Sequence, residues 1–188
     1  FAASSSVTVS NRGWDFATST ASAARYFFDV PASYLLTNFS VVLTWNRTVT
    51  DSNPGPTFAM AVTVADMNLR LYRATNFTVG ALLDSSVSTI QNVEHIYTNL
   101  SPGRYALEVT SDITGADYAL AWGGGLKAQV TTNYPTPYWW LASYGYTNNQ
   151  ETVVTNFGAN SFPLWQSYIA GLVPTNPASQ LRFTSQSL

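Results

Sequence analysis

Four oxygen-bearing side chains are spaced so that they could bind a metal ion. Asp66 and Asn68 are two residues apart, as are Asn92 and Glu94, so each pair lies on one face of a β-strand. If the two strands are neighbours, the four side chains converge, and carboxylate and amide oxygens are ligands that calcium prefers. The sequence therefore leaves two interpretations open: a calcium site, and a cross-strand hydrogen-bond cluster without a cofactor in which Arg70 or Arg104 neutralises the carboxylates.

Catalytic chemistry has little support in the sequence. His95 is the single histidine, so a Ser-His-Asp triad would have to use it. Its neighbour Glu94 points to the opposite face of the same strand, and no Gly-x-Ser-x-Gly turn is present. A glycosidase needs two carboxylates about 5–10 Å apart in a cleft, but the acidic residues are scattered over strand ends and turns. The sequence predicts a protein that is not an enzyme.

A second set of candidate binding residues is aromatic and lies towards the C-terminal end. The cluster comprises Tyr134, Tyr138, Trp139, Trp140, Tyr144 and Tyr146. Exposed in a row, such rings can stack on sugars or on a partner protein. The alternative is that they are buried against the parent domain. The binding prediction falls on four of them: Tyr138, Trp139, Trp140 and Tyr144.

The elements that must position these residues are β-strands. Between residues 62 and 110, apolar and polar residues alternate, as in Leu69 and Leu71 against Asn68 and Arg70. A period of two, with turn residues between the runs, indicates antiparallel strands with one buried face. Similar runs before and after this stretch bring the total to roughly nine or ten short strands, which is typical of a sandwich or jelly roll. We therefore expect a mainly β fold, an antiparallel β-sandwich resembling a jelly roll.

Beyond residue 131 the pattern changes from alternating strands to short helical runs. A cap at Thr136 before Pro137 and a stop at Gly145 would bound the first helix. The predicted helices cover residues 138–144, 150–155 and 163–170. Residues 181–185 favour a closing strand. The sequence thus predicts a β-sandwich domain over 1–131 and a short helical appendage over 132–188.

Three motifs, in their order along the chain, carry a resemblance to a known family. They are the strand Ala65–Tyr72, the strand Asn92–His95 and the hairpin Ser101–Tyr105. Together they resemble the bacterial pre-peptidase C-terminal (PPC-like) β-sandwich domain, which has an Asp-x-Asp-Leu-x-Leu strand, a Glu-containing strand and a Pro-Gly-x-Tyr hairpin. The resemblance covers about residues 10–123. It implies a secreted, non-catalytic sandwich of the kind usually appended to exported hydrolases.

The C-terminal segment has a resemblance of its own. Tyr138–Ala142, Trp165–Gly171 and Pro174–Ser179 resemble a segment of secreted bacterial proteins that contains a calcium repeat of the dockerin or thrombospondin type-3 kind. In that family an Asp-x-Asp-Gly-Asp-Gly loop precedes a Trp-Gln-Glu-Tyr helix. Here the loop is Asn156–Ser161, and Ser167 replaces the Glu. Because calcium needs carboxylate oxygens, we expect no calcium here and helices held by aromatic packing, through Trp139, Trp140, Trp165 and Tyr168.

Composition limits the class of partner. Charged residues make up 10% of the chain, against about 25% in typical soluble domains, and the formal net charge is −2. The absence of a basic stripe argues against nucleic acid, and no apolar run approaches the roughly 20 residues of a membrane helix. The absence of cysteine excludes disulfides and thiolate chemistry. A weakly charged surface favours association with other surfaces or with copies of itself.

Two non-enzymatic functions follow. The first is an extracellular structural subunit that associates with copies of itself into a surface layer or filament through exposed edge strands. The second is an accessory module of a secreted peptidase or glycoside hydrolase that binds polysaccharide or protein. A calcium-stabilised adhesin domain is a minor third reading. Taken as a complete chain with a processed start at Phe1, the sequence favours the first, located outside the cell or at its surface.

Overall fold

The computed structural model describes residues 1–52, 55, 57 and 59–182. The chain divides into two compact units, Phe1–Lys127 and Ala128–Leu188. It is mainly β, with 49% of the described residues in strands and 9% in helices. The predicted fold class, an antiparallel β-sandwich with short C-terminal helices, is confirmed.

The first unit is built from strands that form two facing sheets and one small hairpin. The strands are β1 (Thr8–Val9), β2 (Gly13–Thr18), β3 (Ala24–Val30), β4 (Tyr34–Trp45), β5 (Thr48–Asp51), β6 (Met60–Thr63), β7 (Met67–Thr75), β8 (Thr78–Val87), β9 (Val93–Leu100), β10 (Gly103–Ser111) and β11 (Asp117–Ala128). A five-stranded sheet has the order β1-β3-β10-β7-β8, a four-stranded sheet has the order β2-β11-β4-β9, and β5 pairs with β6. The described pairings are antiparallel, apart from the short parallel pair β1–β3.

The core lies between the two large sheets and follows from the alternation of the sequence. In β7, Met67, Leu69 and Leu71 are fully buried, while the residues between them face outward. In β4, Val41 and Leu43 do the same from the opposite sheet. Both rows belong to one apolar cluster. Because removing apolar area from water is the main favourable term in folding, this shared core fixes which face of each sheet is left for solvent.

Buried aromatic residues of the core keep their polar atoms paired. The indole N–H of Trp45 donates to the carbonyl of Ala65 at 2.9 Å, and the indole N–H of Trp122 donates to the carbonyl of Ser10 at 2.9 Å. A buried donor without a partner would cost roughly 1–3 kcal/mol. These two bonds therefore attach loops to the sheets at defined points.

The second unit, described by itself, contains three short helices around a small core. They are α1 (Tyr138–Ser143), α2 (Gln150–Val153) and α3 (Leu164–Ile169). Leu141, Val154 and Leu164 are buried together at its centre. The predicted helices are present, but Thr136 is not the cap of α1. Pro137 occupies that position, because the Thr136 hydroxyl donates to the carbonyl of Tyr134 instead.

The C-terminal end does not show the predicted closing strand in the part that the structure describes. Leu181 and Arg182 lie outside any strand, and residues 183–185 fall outside the described residues. Within the described ranges, no helix has both the length and the hydropathy to cross a membrane.

Candidate functional site

The four predicted calcium ligands do not lie on neighbouring strands. Asp66 and Asn68 lie just before and within β7 of the five-stranded sheet, whereas Asn92 and Glu94 lie at β9 of the four-stranded sheet. The calcium site required these two strands to be neighbours in one sheet. They are not, because the chain crosses from one sheet to the other between them. The calcium prediction is left without the geometry on which it depended.

Each of these polar groups instead has a local partner. The buried Glu94 carboxylate accepts hydrogen bonds from the Ser88 backbone N–H at 2.7 Å and from the Ser86 hydroxyl. The Asn92 amide donates to the carbonyl of Trp45 at 2.8 Å. Glu94 thus joins the end of β8 to β9, which is a structural role for a carboxylate.

His95 does have a serine beside it, on the exposed side of β9. The Ser40 hydroxyl oxygen lies 2.9 Å from His95 Nε2. In the part of the chain that the structure describes, no carboxylate is hydrogen-bonded to the other ring nitrogen, and neither residue lines the three cavities at the β2 edge, beside Phe27 and beside Trp45. A serine nucleophile needs an oriented base. This pair lacks the acid that would orient the imidazole, which favours a cross-strand contact.

We expect a fluorophosphonate probe, which labels activated serines, to leave this protein unmodified. The reason is that the imidazole beside Ser40 has no acid among the described residues to orient it, so the serine is not activated. Intact-mass measurement after incubation gives the result, with a serine hydrolase labelled in parallel. Stoichiometric labelling that disappears in Ser40→Ala would contradict a non-catalytic role.

The predicted aromatic cluster of the second unit is mostly used for packing. The ring of Trp140 packs edge-on against Tyr144 at 4.9 Å and against Tyr168 at 5.3 Å. The Tyr138 hydroxyl donates to Glu151 at 2.9 Å, and the Thr132 backbone N–H donates to the same carboxylate. These bonds lower the pKa of Glu151.

Two rings of this cluster are partly exposed. Trp139 is 45% exposed and Tyr134 is 40% exposed, and Tyr134 also stacks on Trp165 with the ring centroids 4.9 Å apart. The rings therefore do not form an exposed row, and packing dominates in the second unit.

The loop that resembles a calcium repeat is closed by an uncharged pair. The Asn160 amide donates to the Ser167 hydroxyl at 3.0 Å, and both residues are fully buried. The Asn160 carbonyl oxygen accepts from the backbone N–H of Phe162 at 3.2 Å. A neutral hydrogen bond thus joins this loop to α3 at the position where the family would have its Glu.

The two sheets of the sandwich differ in what they present to solvent. On the five-stranded sheet, Arg25 and Glu108 form an ion pair at 2.8 Å. Arg104 donates two hydrogen bonds of 2.8 Å to the Asp29 carboxylate, and Arg70 lies on the outward row of β7. We call this surface the charged face.

The Asp29–Arg104 pair on the charged face gives a pH-dependent prediction. The hydrogen bonds from Arg104 lower the pKa of Asp29 below its ordinary value of 3.8. Its contribution to stability is therefore complete well above pH 3.8 and is lost as the pH falls through the lower folded-state pKa. Because the Asp29 side chain is 46% exposed, Asp29→Asn should cost less than about 1 kcal/mol at pH 7. Urea unfolding at a series of pH values should show this cost shrinking in acid, and a constant difference would contradict it.

The outer surface of the four-stranded sheet is aromatic and almost uncharged. It consists of Trp14, Phe16 and Thr18 on β2, Asp117, Ala119 and Ala121 on β11, Ser40, Val42 and Thr44 on β4, and Val93, His95 and Tyr97 on β9. We call this surface the aromatic face. The structure describes all of these residues. Asp117 carries the one carboxylate among them, and none of them is Lys or Arg. The exposed fractions of Trp14, Phe16 and Tyr97 are 69%, 63% and 61%.

Large and small residues alternate across the aromatic face from one edge of the sheet towards its centre. Trp14 lies opposite Ala121 and Phe16 lies opposite Ala119 in the β2–β11 register. The two rings at the edge therefore stand beside a floor of alanine methyl groups. This step in height makes one wall of a shallow trough that runs along the strands.

The second wall comes from the opposite edge strand. Val42 on β4 lies opposite His95, and Ser40 lies opposite Tyr97. The rings of His95 and Tyr97 are neighbours, with their centroids 6.4 Å apart. Since β2 and β9 are separated by three strand spacings, the two walls are about 14 Å apart. The aromatic face can thus accept a flat, extended ligand lying parallel to the strands.

Sequence reasoning missed this surface. The spacing Trp14-x-Phe16 was visible, but alternation alone does not say which of the two rows faces the core. Asp15 lies between the two rings and faces the interior, where it accepts a hydrogen bond from Tyr26. A polar residue flanked by exposed aromatic rings is the reverse of the usual pattern, and it was the available signal.

Comparison with known proteins adds little beyond the fold. No family model matches the chain, and no curated protein matches it. Among solved structures, the chain is similar to the pre-peptidase C-terminal domain of a collagenase from Bacillus anthracis, at 13% sequence identity and a TM-score of 0.40, over 64% of this chain and 92% of that chain. That neighbour is the same kind of domain as the sequence resembles, but this degree of likeness establishes neither a shared family nor a shared ligand. The dockerin-type resemblance has no counterpart among these matches.

Proposed function

We propose that this protein is a non-catalytic, extracellular module that binds an uncharged polysaccharide through the aromatic face. One observation carries the proposal: an exposed sheet surface with Trp14, Phe16 and Tyr97 standing on either side of a floor of small residues. Such a module would serve as the accessory part of a secreted hydrolase or as a surface protein that adheres to glycan.

The chemistry of stacking supports a sugar as the ligand. Aromatic rings bury a large apolar area with few rotatable bonds, and the C–H face of a pyranose is an apolar surface of matching flatness. Ser40, Thr44 and Thr18 lie on the same surface and offer hydroxyl groups that both donate and accept. A polysaccharide chain along the trough would therefore meet rings at its sides and hydroxyls between them.

The charge distribution favours a neutral glycan. An acidic polysaccharide would need Lys or Arg close to its carboxylates or sulfates. None of the residues named above for the aromatic face is Lys or Arg, and Arg12, at the end of the β2 row, donates to the carbonyl of Gly124. The arginines of the sandwich that are paired with carboxylates, Arg25 and Arg104, lie on the charged face. An uncharged ligand can bind this surface without leaving an anionic group unpaired.

The sequence favoured self-association through exposed edge strands, and self-association through the aromatic face is less well supported by its area. The aromatic face measures about 20 by 17 Å, or about 340 Å² per copy, from strand spacing and residue rise. Two copies face to face would bury about 680 Å² in total, which is little more than half of the roughly 1,200 Å² at the low end of stable interfaces. Contact between copies through this surface alone would be weak, whereas a flat glycan needs no larger area.

Two further observations support a non-catalytic, extracellular role. The Ser40–His95 pair lacks an orienting acid among the described residues. The sequence also resembles a domain of secreted hydrolases, and it has no cysteine whose oxidation outside the cell would matter.

Adsorption to insoluble glycan tests the proposal. Purified protein is mixed with microcrystalline cellulose and with chitin, and the unbound fraction is measured against protein concentration. We expect saturable adsorption to at least one of them. It should persist in about 1 M sodium chloride because screening over about 3 Å removes ionic contacts but not stacking.

The contradictory outcomes are equally specific. Protein that stays in solution with both solids would remove the proposal. Size-exclusion chromatography of the same sample distinguishes glycan binding from self-association. Polymers that grow with protein concentration and do not adsorb to glycan would favour self-association as the function.

A further inference from the structure

A cavity of about 370 Å³ lies at the β2 edge of the sandwich. Its walls come from β2, β3, β10 and β11 and from the N-terminal residues. Among the lining residues are Asp15, Ala24, Tyr26, Thr110 and Tyr118. The volume is at the low end of the range for small-molecule sites, which is about 300–1,000 Å³.

The base of the cavity is a chain of hydrogen bonds that ends on a carboxylate. The Tyr26 hydroxyl donates to Asp15 Oδ2 at 2.8 Å, and the Tyr118 hydroxyl lies 3.1 Å from the Tyr26 hydroxyl and donates to it. Both tyrosines are almost fully buried. Burial raises the pKa of Tyr26 and of Tyr118, so both remain protonated donors. The carboxylate is thereby held in one orientation.

One oxygen of this carboxylate is still available. Within the described residues, Asp15 Oδ1 has no hydrogen-bond partner, and no Lys or Arg lines the cavity. Since an ionised carboxylate only accepts hydrogen bonds, a group that replaces solvent at this oxygen must be a donor. A ligand hydroxyl meets that requirement.

The remaining lining favours a polyhydroxylated ligand over an amine. Ser22 and Ser111 line the cavity together with alanines such as Ala17 and Ala24. The hydroxyls of Thr18 and Thr110, which also line it, are bonded to Asp117 and Arg70. An ammonium group only donates, so it would leave the donor capacity of the Ser22 and Ser111 hydroxyls unused. A sugar presents donors, acceptors and apolar C–H faces together.

The cavity is also continuous with the aromatic face through two residues. Phe16 and Thr18 line the cavity and belong to the aromatic face. We infer that the cavity binds a single neutral sugar unit, either free or at the end of a glycan chain, with Asp15 accepting from its hydroxyls. The ligand class follows the proposed function, but the site is separate.

Soluble sugars test the inference independently of adsorption. Glucose, N-acetylglucosamine, cellobiose and chitobiose are titrated into the protein and followed by NMR chemical shifts. We expect saturable binding of at least one, with shifts at residues 15–18 and 110–111. Asp15→Asn should weaken it about ten-fold or more, because a hydrogen bond to a charged group is lost. Ala23→Phe, which places a ring at the cavity wall, should abolish it, and the control Asp84→Asn on β8 should leave it unchanged.

The outcomes separate the cavity from the aromatic face. If none of the four sugars binds, or if Asp15→Asn and Ala23→Phe both bind as the wild type does, the inference is overturned, while adsorption to polysaccharide would still stand. If the sugars bind in the cavity and adsorption is absent, the inference holds without the proposed function. If the wild type binds soluble sugar in the cavity and also adsorbs to polysaccharide, Trp14→Ala should lose adsorption yet keep the binding of soluble sugar.

Discussion

Trp14→Ala is expected to reduce the affinity for insoluble neutral glycan by about 30-fold, the equivalent of losing one interfacial hot spot of about 2 kcal/mol. The side chain is 69% exposed and lies beside Ala121, so its removal deletes one wall of the trough without leaving a cavity in the core. The fold should therefore survive, since surface substitutions of this kind usually change stability by less than about 0.5 kcal/mol. Adsorption isotherms of wild type and variant on the same solid give the ratio.

The second unit provides a matched control for this variant. Trp139 is also an exposed tryptophan, and the sequence had proposed it as a binding residue. Trp139→Ala should adsorb as the wild type does if the contact surface is the aromatic face. Equal losses for Trp14→Ala and Trp139→Ala would indicate nonspecific adsorption through exposed indoles, and a loss confined to Trp139→Ala would move the binding site to the second unit.

Glu94→Ala is expected to destabilise the sandwich by about 2–4 kcal/mol. The carboxylate is 2% exposed and accepts from the Ser88 backbone N–H and the Ser86 hydroxyl. Without it, the Ser88 N–H has lost its acceptor in a partly buried place, and the link between β8 and β9 is broken. Urea unfolding monitored by circular dichroism in the far ultraviolet measures the loss.

Two comparisons decide what Glu94 does. Glu94→Gln keeps an acceptor for the Ser88 N–H, so its free energy of unfolding should fall less than that of Glu94→Ala. Asp84→Ala on the exposed strand β8 should change the free energy of unfolding little. Chelation of calcium should not reproduce the effect in the wild type. A wild-type protein that falls to the stability of Glu94→Ala in EDTA would restore Glu94 as a calcium ligand and contradict the structural role.

The strands and the existence of two layers were predictable, since both follow from period-two alternation over segments such as Met67–Leu71. The assignment of strands to sheets was not, because pairing partners depend on contacts far apart in the sequence. This is why Asn68 and Glu94 seemed to be neighbours although β7 and β9 belong to different sheets. The parallel pair β1–β3 was equally invisible, because β1 is two residues long.

The candidate surface was harder to predict than the fold. Aromatic residues are expected in cores, so Trp14 and Phe16 gave no reason to expect exposure, and the run Tyr138–Tyr144 drew attention instead. In the structure, Trp140 is enclosed by Tyr144 and Tyr168, while Trp14 lies in solvent. Only the arrangement of both edges of the four-stranded sheet shows that its outward side chains form a trough.

Footprinting of the adsorbed protein examines the contact surface most directly. Hydroxyl radicals oxidise exposed aromatic side chains, and mass spectrometry reports the extent at each residue with and without bound cellulose or chitin. We expect adsorption to protect Trp14, Phe16 and Tyr97, while Trp139 and Phe157 of the second unit are oxidised as in free protein. Protection of Trp139 or Phe157 with unchanged oxidation at Trp14 would contradict the account.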